Sequence, residues 1–271
     1  MIACIFPSMA DDVGLMRVGR ESVSQQTLME LLVGALPEDD QKRFRTDDGA
    51  YSDVEGWEGV ECDCMGDVVQ LHWANFGFGE ASVDLSWLPS TIKGLNVSSN
   101  KLAGSVDFTY LPEDLEILSL SNNRIGGTAD LTSLPVALTQ LWLASNQFTG
   151  SVDLTALPDV LTVLSLSGNQ FTGSIDLTQL PESLINLWAA RNQLSGSINL
   201  TKLPPAMRLL HLPRNNLSGS IDLTYLPESL CSVDLSRNTL SGEAAIPPRY
   251  GRNIYLSGNA FSQVYHIHEG K

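Results

Sequence analysis

The chain has 271 residues, of which 43% are hydrophobic and 17% are charged, and its formal net charge is −15 at pH 7. These proportions suit one elongated domain with a continuous core, and no apolar run approaches the roughly 18 residues that a membrane span requires. The acidic excess argues against nucleic acid as a partner, because binding to phosphates requires a basic surface.

The first 20 residues predict a flexible tail. They lack the basic start and the long apolar stretch of a signal peptide, which favours a cytoplasmic location. An alternative is a secreted or cell-surface protein whose signal peptide is missing from the sequence. Three glycosylation sequons keep that alternative open, although a repeat rich in Asn, Ser and Thr produces them by chance; they begin at Asn96, Asn199 and Asn216.

Residues 24–37 show the spacing of an amphipathic helix. Ser22 or Ser24 supplies a cap at its beginning, and the segment between Gly34 and Pro37 ends it. The apolar face of this predicted helix consists of Leu28, Leu31, Leu32, Ala35 and Leu36.

An asparagine recurs every 23 residues, and the residues around it recur in step. Gly follows each of these asparagines four residues later, and a Leu-Pro pair keeps the same period. A fixed period of this length is typical of a stacked-repeat protein, in which each unit buries its apolar face against its neighbours. We expect seven such repeats over residues 85–245. The recurring asparagines are Asn100, Asn123, Asn146, Asn169, Asn192, Asn215 and Asn238.

Each unit contains one predicted strand. Within residues 138–146, Leu141 and Leu143 alternate with Trp142, so the leucines point inward and the tryptophan points outward. Neighbouring units place these strands side by side in a parallel sheet, about 4.8 Å apart. The chain turns away at the asparagine, whose side-chain amide both donates and accepts hydrogen bonds, so we expect the asparagines to form a buried ladder.

A second extended segment is expected after each turn, for example over residues 173–177, where Ile175 and Leu177 point inward. A column of acidic residues, with one Asn, lies between these apolar positions, and we expect it to face solvent or to bind nearby turn amides. A calcium-binding ladder is the alternative, but no adjacent acidic residue completes a ligand set. The column consists of Asp107, Asp130, Asp153, Asp176, Asn199 and Asp222.

The pattern L-x-x-L-x-L-x-x-N at residues 138–146 resembles the unit of leucine-rich repeat proteins. It is similar to the plant-type subclass, but Ser-Ile-Asp-Leu-Thr-x-Leu-Pro replaces the L-x-G-x-I-P run of that subclass, and each unit is one residue shorter. Units with this sequence resemble those of leucine-rich repeat proteins from unicellular eukaryotes such as kinetoplastids. The resemblance implies an α/β solenoid, a horseshoe or superhelix with a concave parallel β-sheet and a helical amino-terminal cap.

The segment before the repeats resembles the amino-terminal cap of plant-type repeat proteins. It has a helix, a W-x-G-V-x-C sequence at residues 57–62 and a degenerate first strand within residues 66–73. A cap and degenerate first repeat over residues 21–84 would cover the open apolar end of the stack. In secreted relatives the cap cysteines pair, with one Cys shortly before the Trp, but this chain has none between Cys4 and Cys62.

The four cysteines show no evident disulfide framework, which favours a reducing compartment. Cys62 and Cys64 are too close in sequence to bridge comfortably. A metal site formed by this pair with His266 and His268 is an alternative, but its spacing matches no standard zinc pattern. We therefore expect no metal and no cofactor.

Residues 246–271 predict a degenerate last repeat and a carboxyl-terminal cap, because Asn259 follows the last regular asparagine by 21 residues. Residues 254–256 still have the pattern of a strand. Residues 264–268 alternate, and we expect them to close the stack as a final edge.

The outward positions of the predicted strands form a column whose residues become larger toward the carboxyl terminus. Trp and Arg together on an exposed sheet are typical of binding hot spots, because Trp buries a large area and Arg forms forked hydrogen bonds to carboxylate or phosphate. The alternative is a set of solvated positions that drifted within a tolerant repeat. We predict a partner-binding site composed of Trp142, Trp188, Arg191, His211, Arg214, Asp234, Arg237 and Tyr255.

The three arginines of this site lie in consecutive units, on neighbouring strands in this interpretation. They repel one another in the free protein, so the arrangement favours a partner that carries negative charge. We expect a protein or peptide partner with acidic or phosphorylated residues, bound by the carboxyl-terminal half of the concave sheet.

Enzyme motifs are missing, since the sequence contains no G-x-S-x-G, Walker loop, H-E-x-x-H or kinase signature. His211 and Asp234 resemble part of a hydrolase triad, but the nearby serines, Ser232 and Ser236, occupy ordinary repeat positions. We therefore expect a non-enzymatic interaction scaffold. The regulatory part of a larger signalling enzyme is the other alternative.

Overall fold

The computed structural model describes residues 22–251 and 253–267, so the predicted flexible tail, residues 1–20, lies outside the described residues. Within them the α-helices are α1, Gln25–Gly34, and α2, Glu38–Gln41. Short 3₁₀ helices span Lys42–Phe44, Val54–Gly56, Leu85–Trp87, Phe108–Tyr110, Leu131–Ser133 and Pro248–Tyr250. The strands are β1 Val60–Cys62, β2 Val68–His72, β3 Gly94–Asn96, β4 Ile117–Ser119, β5 Gly126–Thr128, β6 Gln140–Trp142, β7 Gln147–Ser151, β8 Val163–Ser165, β9 Gln170–Gly173, β10 Asn186–Trp188, β11 Gln193–Gly196, β12 Leu209–His211, β13 Asn216–Gly219, β14 Ser232–Asp234, β15 Thr239–Ile246, β16 Ile254–Tyr255 and β17 Ala260–His266.

The strands form two sheets on the sides of a solenoid. The ten-stranded sheet has the order β1-β2-β3-β4-β6-β8-β10-β12-β14-β16, and the seven-stranded sheet has the order β17-β15-β13-β11-β9-β7-β5. β1 pairs antiparallel with β2, whereas β2 and the strands after it pair in parallel. The predicted solenoid with a parallel sheet and a helical cap is confirmed.

The core lies between the two sheets and repeats with the sequence. Leu118, Leu141 and Leu164 face one another across β4, β6 and β8, and none of the three is exposed. On the side of the seven-stranded sheet, the rings of Phe148 and Phe171 stack with centroids 6.1 Å apart. Burial of each such side chain contributes about 1.5–3 kcal/mol, and in a solenoid that burial is supplied by the adjacent repeats.

The predicted asparagine ladder is present and buried. Asn169 shows its geometry: Nδ2 donates to Leu166 O in its own repeat at 3.0 Å and to Leu143 O in the preceding repeat at 2.9 Å. Its Oδ1 accepts from Phe148 N, also in the preceding repeat, at 3.1 Å. Each amide therefore satisfies backbone groups of two consecutive turns, which would otherwise be buried without partners.

The second extended segment begins earlier than predicted. β9 spans Gln170–Gly173, whereas residues 174–177 are not in a strand, although Ile175 and Leu177 are buried as expected. Gly173 has φ 78°, a left-handed conformation that ends the strand, and a Cβ there would lie 3.4 Å from Ser151 Cβ of the preceding turn. The predicted inward positions of Ile175 and Leu177 are confirmed, and the paired strand precedes them, because alternating burial also occurs in extended chain without strand pairing.

The acidic column faces solvent and caps its own turns, as predicted. Asp176 Oδ1 accepts hydrogen bonds from Thr178 N at 2.8 Å and from Thr178 Oγ1 at 2.7 Å. The hydrogen bond from the Thr178 hydroxyl, and to a smaller extent the one from the Thr178 backbone N–H, hold the pKa of Asp176 below its ordinary value. The carboxylates are therefore used locally, in the manner of Asx turns.

The predicted cap helix is present, but it is rotated from its predicted face. α1 begins after Ser24, whose Oγ accepts from Thr27 N at 3.2 Å. Leu28 and Leu32 are buried as expected, whereas Leu31 is 44% exposed. Ala35 of the predicted face is exposed too, and Met29 and Val33, absent from that face, are fully buried. The buried stripe at positions 29, 32, 33 and 36 keeps helical spacing but is shifted around the helix from the predicted one.

An aromatic cluster joins the cap to the first strands. The ring of Phe44 lies 4.8 Å from that of Trp57 and 5.4 Å from that of Trp73, measured between centroids. Gln25 of α1 adds a polar link, since its Nε2 donates to Gly66 O at 2.9 Å and its Oε1 accepts from Val68 N. The cap thus covers the amino-terminal end of the core.

The other end of the solenoid closes with strands. β16 extends the ten-stranded sheet, and β17 pairs in parallel with β15 as the last strand of the seven-stranded sheet. The predicted closing segment is therefore a strand as far as His266, and His268 lies outside the described residues.

Substituting the ladder asparagine of a central repeat tests the role of these hydrogen bonds. Asn169→Ala leaves Leu143 O, Leu166 O and Phe148 N without their partner, so we expect a loss of about 1–3 kcal/mol in the free energy of unfolding. Denaturant unfolding measures it. The control is Asp176→Ala, whose hydrogen bonds water can replace; equal losses for the two variants would contradict the assignment of inside and outside positions.

Candidate functional site

Five of the eight predicted site residues lie in one row across the ten-stranded sheet. The parallel register pairs Trp142 with Ser165, Ser165 with Trp188, and Trp188 with His211. It continues from His211 to Asp234 and from Asp234 to Tyr255. The structure therefore brings six consecutive outward positions together, and five of them belong to the predicted site.

The two tryptophans are stacked on each other. Their ring centroids are 5.7 Å apart and their planes differ by 25°. Side chains two strands apart start about 9.6 Å from each other, so both rings lean toward the strand between them. Ser165 lies on that strand and is only 5% exposed, because the rings cover it. The Nε1 of Trp142 donates to Gln140 Oε1 at 3.2 Å, which holds one ring in place.

Sequence reasoning missed the role of Ser165. The sequence contains one signal for this role: a small residue lies between two tryptophans that occupy the same position in alternate repeats. A larger side chain there would keep the two rings apart. The result is one apolar platform formed by Trp142 and Trp188 rather than two separate anchors.

The three arginines do not lie on the strands. Arg191, Arg214 and Arg237 follow β10, β12 and β14 in the turns just before the ladder asparagines, with φ values of 55°, 58° and 56°. This left-handed region costs a residue other than Gly about 1 kcal/mol. All three side chains are exposed, and none forms an ion pair with another described residue. They form a cationic row along one edge of the ten-stranded sheet.

The family model described as Leucine Rich Repeat matches residues 114–135 and 160–182. These matched segments coincide with units of the solenoid, and the asparagine ladder and parallel sheet recur in step with them. The chain is a leucine-rich repeat protein. Its units are similar to those of the plant-type subclass.

Solved structures with the same fold come from plants. A plant ice-binding protein is 23% identical and aligns over 88% of this chain and 94% of its own, with a TM-score of 0.51. Pollen Receptor Kinase 3 is 22% identical over 68% of this chain and 92% of its own, with a TM-score of 0.54. The plant peptide hormone receptor RGFR1 in complex with RGF2 is 22% identical over 76% of this chain, with a TM-score of 0.55.

This leucine-rich repeat protein spans about a third of the RGFR1 chain, 34% of its length. Because the sequences of these structures are only 22–23% identical to the chain, the likeness shows a shared fold. No curated protein sequence matches the chain.

His211 is hydrogen-bonded to a serine of the adjacent strand. Its Nε2 lies 3.0 Å from Ser232 Oγ, whereas Asp234 Oδ1 accepts from Ser236 N at 2.9 Å. The backbone N–H of Ser232 donates to Arg208 O. Ser232 and His211 are thus in contact. Asp234, however, is hydrogen-bonded to its own turn, and the backbone N–H of Ser232 is already paired within the sheet, an arrangement that suits binding.

Partial burial lowers the pKa of His211 below its ordinary value, and the negative charge of Asp234 offsets part of that shift. The imidazole is therefore neutral at pH 7 and offers one donor and one acceptor. Between Trp188 and Asp234 the row changes from an apolar to a polar surface.

The cysteines of the leucine-rich repeat protein lie away from this row. Cys62 is half-buried, and Cys64 and Cys231 are exposed free thiols, while Cys4 lies outside the described residues. Burial raises the pKa of Cys62, and the nearby carboxylates, chiefly that of Glu55, raise it further, so this thiol stays protonated.

The described residues also bear on two other features, metal sites and membrane spans. No cluster of three or more His, Cys, Asp or Glu side chains is placed to hold a metal ion within residues 22–251 and 253–267. In the same ranges, every helix is too short or too polar to cross a membrane.

The environment of His211 is testable by titration. We expect an NMR pKa below about 6.5, and a further decrease in Asp234→Asn, because that variant removes the charge that favours the protonated form. Since the folded-state pKa is lowered, the stability from neutral His211 is fully present above the unfolded value and is lost as the pH falls below it. An unchanged or raised pKa in Asp234→Asn would contradict the proposed contact.

Proposed function

We propose that this leucine-rich repeat protein is a non-enzymatic scaffold that binds a protein or peptide through the carboxyl-terminal half of the ten-stranded sheet. The observation that carries the proposal is the conformation of Arg191, Arg214 and Arg237. Arginine occupies a left-handed turn position in three consecutive repeats, and the equivalent turns elsewhere hold Asn75, Ser99, Asn122, Ser145, Gly168 and Gly258.

The arginine row carries two energetic costs. Gly and Asn tolerate positive φ, whereas Arg, like Ser99 and Ser145 at the equivalent turns, is disfavoured there, and three adjacent guanidinium groups also repel one another. Backbone strain of this kind is found at sites where the side chain of the strained residue takes part in binding. The row therefore supports a binding role more strongly than exposure alone.

The chemistry of the partner follows from the two components of the surface. The stacked pair of Trp142 and Trp188 offers a rigid apolar platform, which suits an apolar or aromatic side chain. The arginines on the adjacent turns suit carboxylates or phosphates, to which guanidinium forms forked hydrogen bonds. We propose a peptide segment that carries acidic or phosphorylated residues next to an apolar anchor.

The comparisons add support at the level of fold. Among the similar solved structures is a peptide hormone receptor in complex with RGF2, so this scaffold serves peptide recognition in at least one other protein. The similarity to Pollen Receptor Kinase 3 is in keeping with the alternative that the chain is the regulatory part of a larger signalling enzyme. A longer transcript that encodes a kinase or phosphatase segment would support that alternative.

Different observations favour a cytoplasmic location and a secreted or cell-surface location for the protein. Free Cys62, Cys64 and Cys231 favour the cytoplasm, whereas the similarity to receptors favours the secreted or cell-surface alternative. Among the sequons, Asn199 and Asn216 are exposed, and Asn199 Oδ1 accepts hydrogen bonds from Thr201 N and Thr201 Oγ1. A mass shift on glycosidase treatment of the native protein would establish the secretory route, and its absence would favour the cytoplasm.

The binding proposal predicts the effects of two substitutions. Affinity capture from the native cell followed by mass spectrometry supplies the partner. Trp188→Ala and Arg214→Gly should each weaken binding by about 2 kcal/mol in calorimetric titration, since hot-spot residues are few and desolvated. Arg214→Gly should leave the melting temperature unchanged or raised, because Gly is unstrained at φ 58°.

Matched controls lie in the amino-terminal half of the same surface. Ser145→Gly changes the equivalent turn without removing a charge, and Ser119→Ala changes an outward position of the same row. Both should bind normally. Unchanged affinity for Trp188→Ala and Arg214→Gly would place the binding site elsewhere.

A second candidate function rests on the seven-stranded sheet. Many of its outward positions are hydroxyl and amide side chains in register, with Thr128 opposite Thr149 and Ser151 opposite Thr172, and all four are exposed. The exposed carboxylate of Glu243 lies farther along the sheet, in β15. A regular array of hydroxyl groups such as these four is suited to ordered water. The similarity to a plant ice-binding protein motivates ice as the candidate ligand.

Ice binding is tested by thermal hysteresis and by inhibition of ice recrystallisation. If this candidate holds, the protein shapes ice crystals, and Thr149→Lys or Thr172→Lys reduces the effect because a charged side chain interrupts the array. Ser119→Lys on the other sheet is the control. Ordinary ice growth in the presence of the unmodified protein would reject the candidate.

A further inference from the structure

The two ends of the solenoid are covered in different ways. At the amino-terminal end, α1 buries four apolar side chains and β1 pairs antiparallel with β2. At the other end, β17 is the outermost strand of the seven-stranded sheet, and no other described segment pairs with its outer edge. Its backbone N–H and C=O groups on that side are a template for another strand.

Exposed apolar side chains are concentrated at this end. Within the described residues, nine large hydrophobic side chains are exposed, and three of them lie in β17 or directly after it. Their exposed fractions are 47% for Val264, 40% for Tyr265 and 38% for Ile267. A patch of this kind beside an open edge marks an interaction surface.

Apart from one β-bulge, the edge lacks the features that keep edge strands from pairing. Residues 260–267 contain no Asp, Glu, Lys, Arg or Pro, and β17 is seven residues long. Natural edge strands are blunted by charges, prolines, β-bulges or short length. The bulge lies at Ser262, since Gly242 pairs with Phe261 and Glu243 with Gln263, and the strand from Gln263 to His266 is regularly paired.

We propose that β17 is the docking surface for a second copy of this chain, which pairs with it antiparallel about a two-fold axis. An uncharged strand pairs with its own copy without placing like charges opposite each other, and antiparallel pairing of identical strands closes a two-fold dimer. The seven-stranded sheets of two protomers then form one continuous sheet. A partner with acidic residues would find no cationic group on this strand.

The charge distribution favours this end for self-association. Residues 1–90 carry 17 acidic and five basic residues, a net charge of −12, whereas residues 91–271 carry 14 and 11, a net charge of −3. Pairing through β17 places the acidic caps at the far ends. The ten strands of the longer sheet span about 43 Å, which is several times the screening length of about 10 Å at 0.1 M salt. Repulsion between the caps is therefore small.

Sedimentation and small-angle X-ray scattering of the full chain test the proposal. We expect reversible association from 29.4 kDa to twice that mass with increasing concentration, and a maximum dimension close to twice that of the monomer. Val264→Lys should raise the dimer dissociation constant at least tenfold, because it brings two like charges together near the axis. Ile267→Lys is a second variant in case the first folds poorly.

Val160→Lys is the matched control, since Val160 is 44% exposed in a central repeat, and it should dimerise normally. A monomer at every concentration would overturn the proposal. So would a dimer that persists in both lysine variants of the edge, or one whose scattering shows protomers side by side. Because the proposal does not depend on the arginine row, Arg214→Gly should leave dimerisation unchanged.

Discussion

The asparagine ladder is the interaction on which the rest of the structure depends. Each side-chain amide binds one carbonyl in its own repeat and one carbonyl and one N–H in the preceding repeat, as Asn169 shows. These three bonds connect consecutive turns at a fixed offset. Removal of an amide would leave buried backbone groups unpaired, at a cost of about 1–3 kcal/mol each. The last unit, in which Asn259 follows Asn238 by 21 residues, keeps the same three bonds, so the ladder fixes how consecutive turns meet at the asparagine rather than the length of the unit.

The same constraint organises the exposed surface. Because the ladder aligns consecutive turns, the residue just before each asparagine always lies in the left-handed region, and the outward residue of each strand always falls in one row. A substitution at either position changes the surface without changing the core. The arginine row and the tryptophan pair are two such changes, and at Trp188 and Arg191 they form adjoining apolar and cationic surfaces.

The two sheets differ in the chemistry that they present. The ten-stranded sheet carries aromatic, imidazole and guanidinium groups around Trp188 and His211, which suit a specific partner. The seven-stranded sheet carries small hydroxyl and amide groups, such as Thr149 and Thr172, and ends in the apolar edge of β17. One scaffold thus holds an aromatic and cationic surface, a polar surface and an open end, and each can be altered separately because repeats contact only their neighbours.

The sequence by itself determined the repeat period, the inward leucines, the asparagine ladder and the row from Trp142 to Tyr255, because these depend on position within a periodic unit. The tertiary structure decided the features that depend on contacts between side chains of different repeats or elements. Trp142 stacks on Trp188 only because Ser165 lies between them, and α1 buries Met29 and Val33 because of how it meets the first repeat. The left-handed arginines and the early start of β9 follow from turn geometry, for which alternating burial gives no signal.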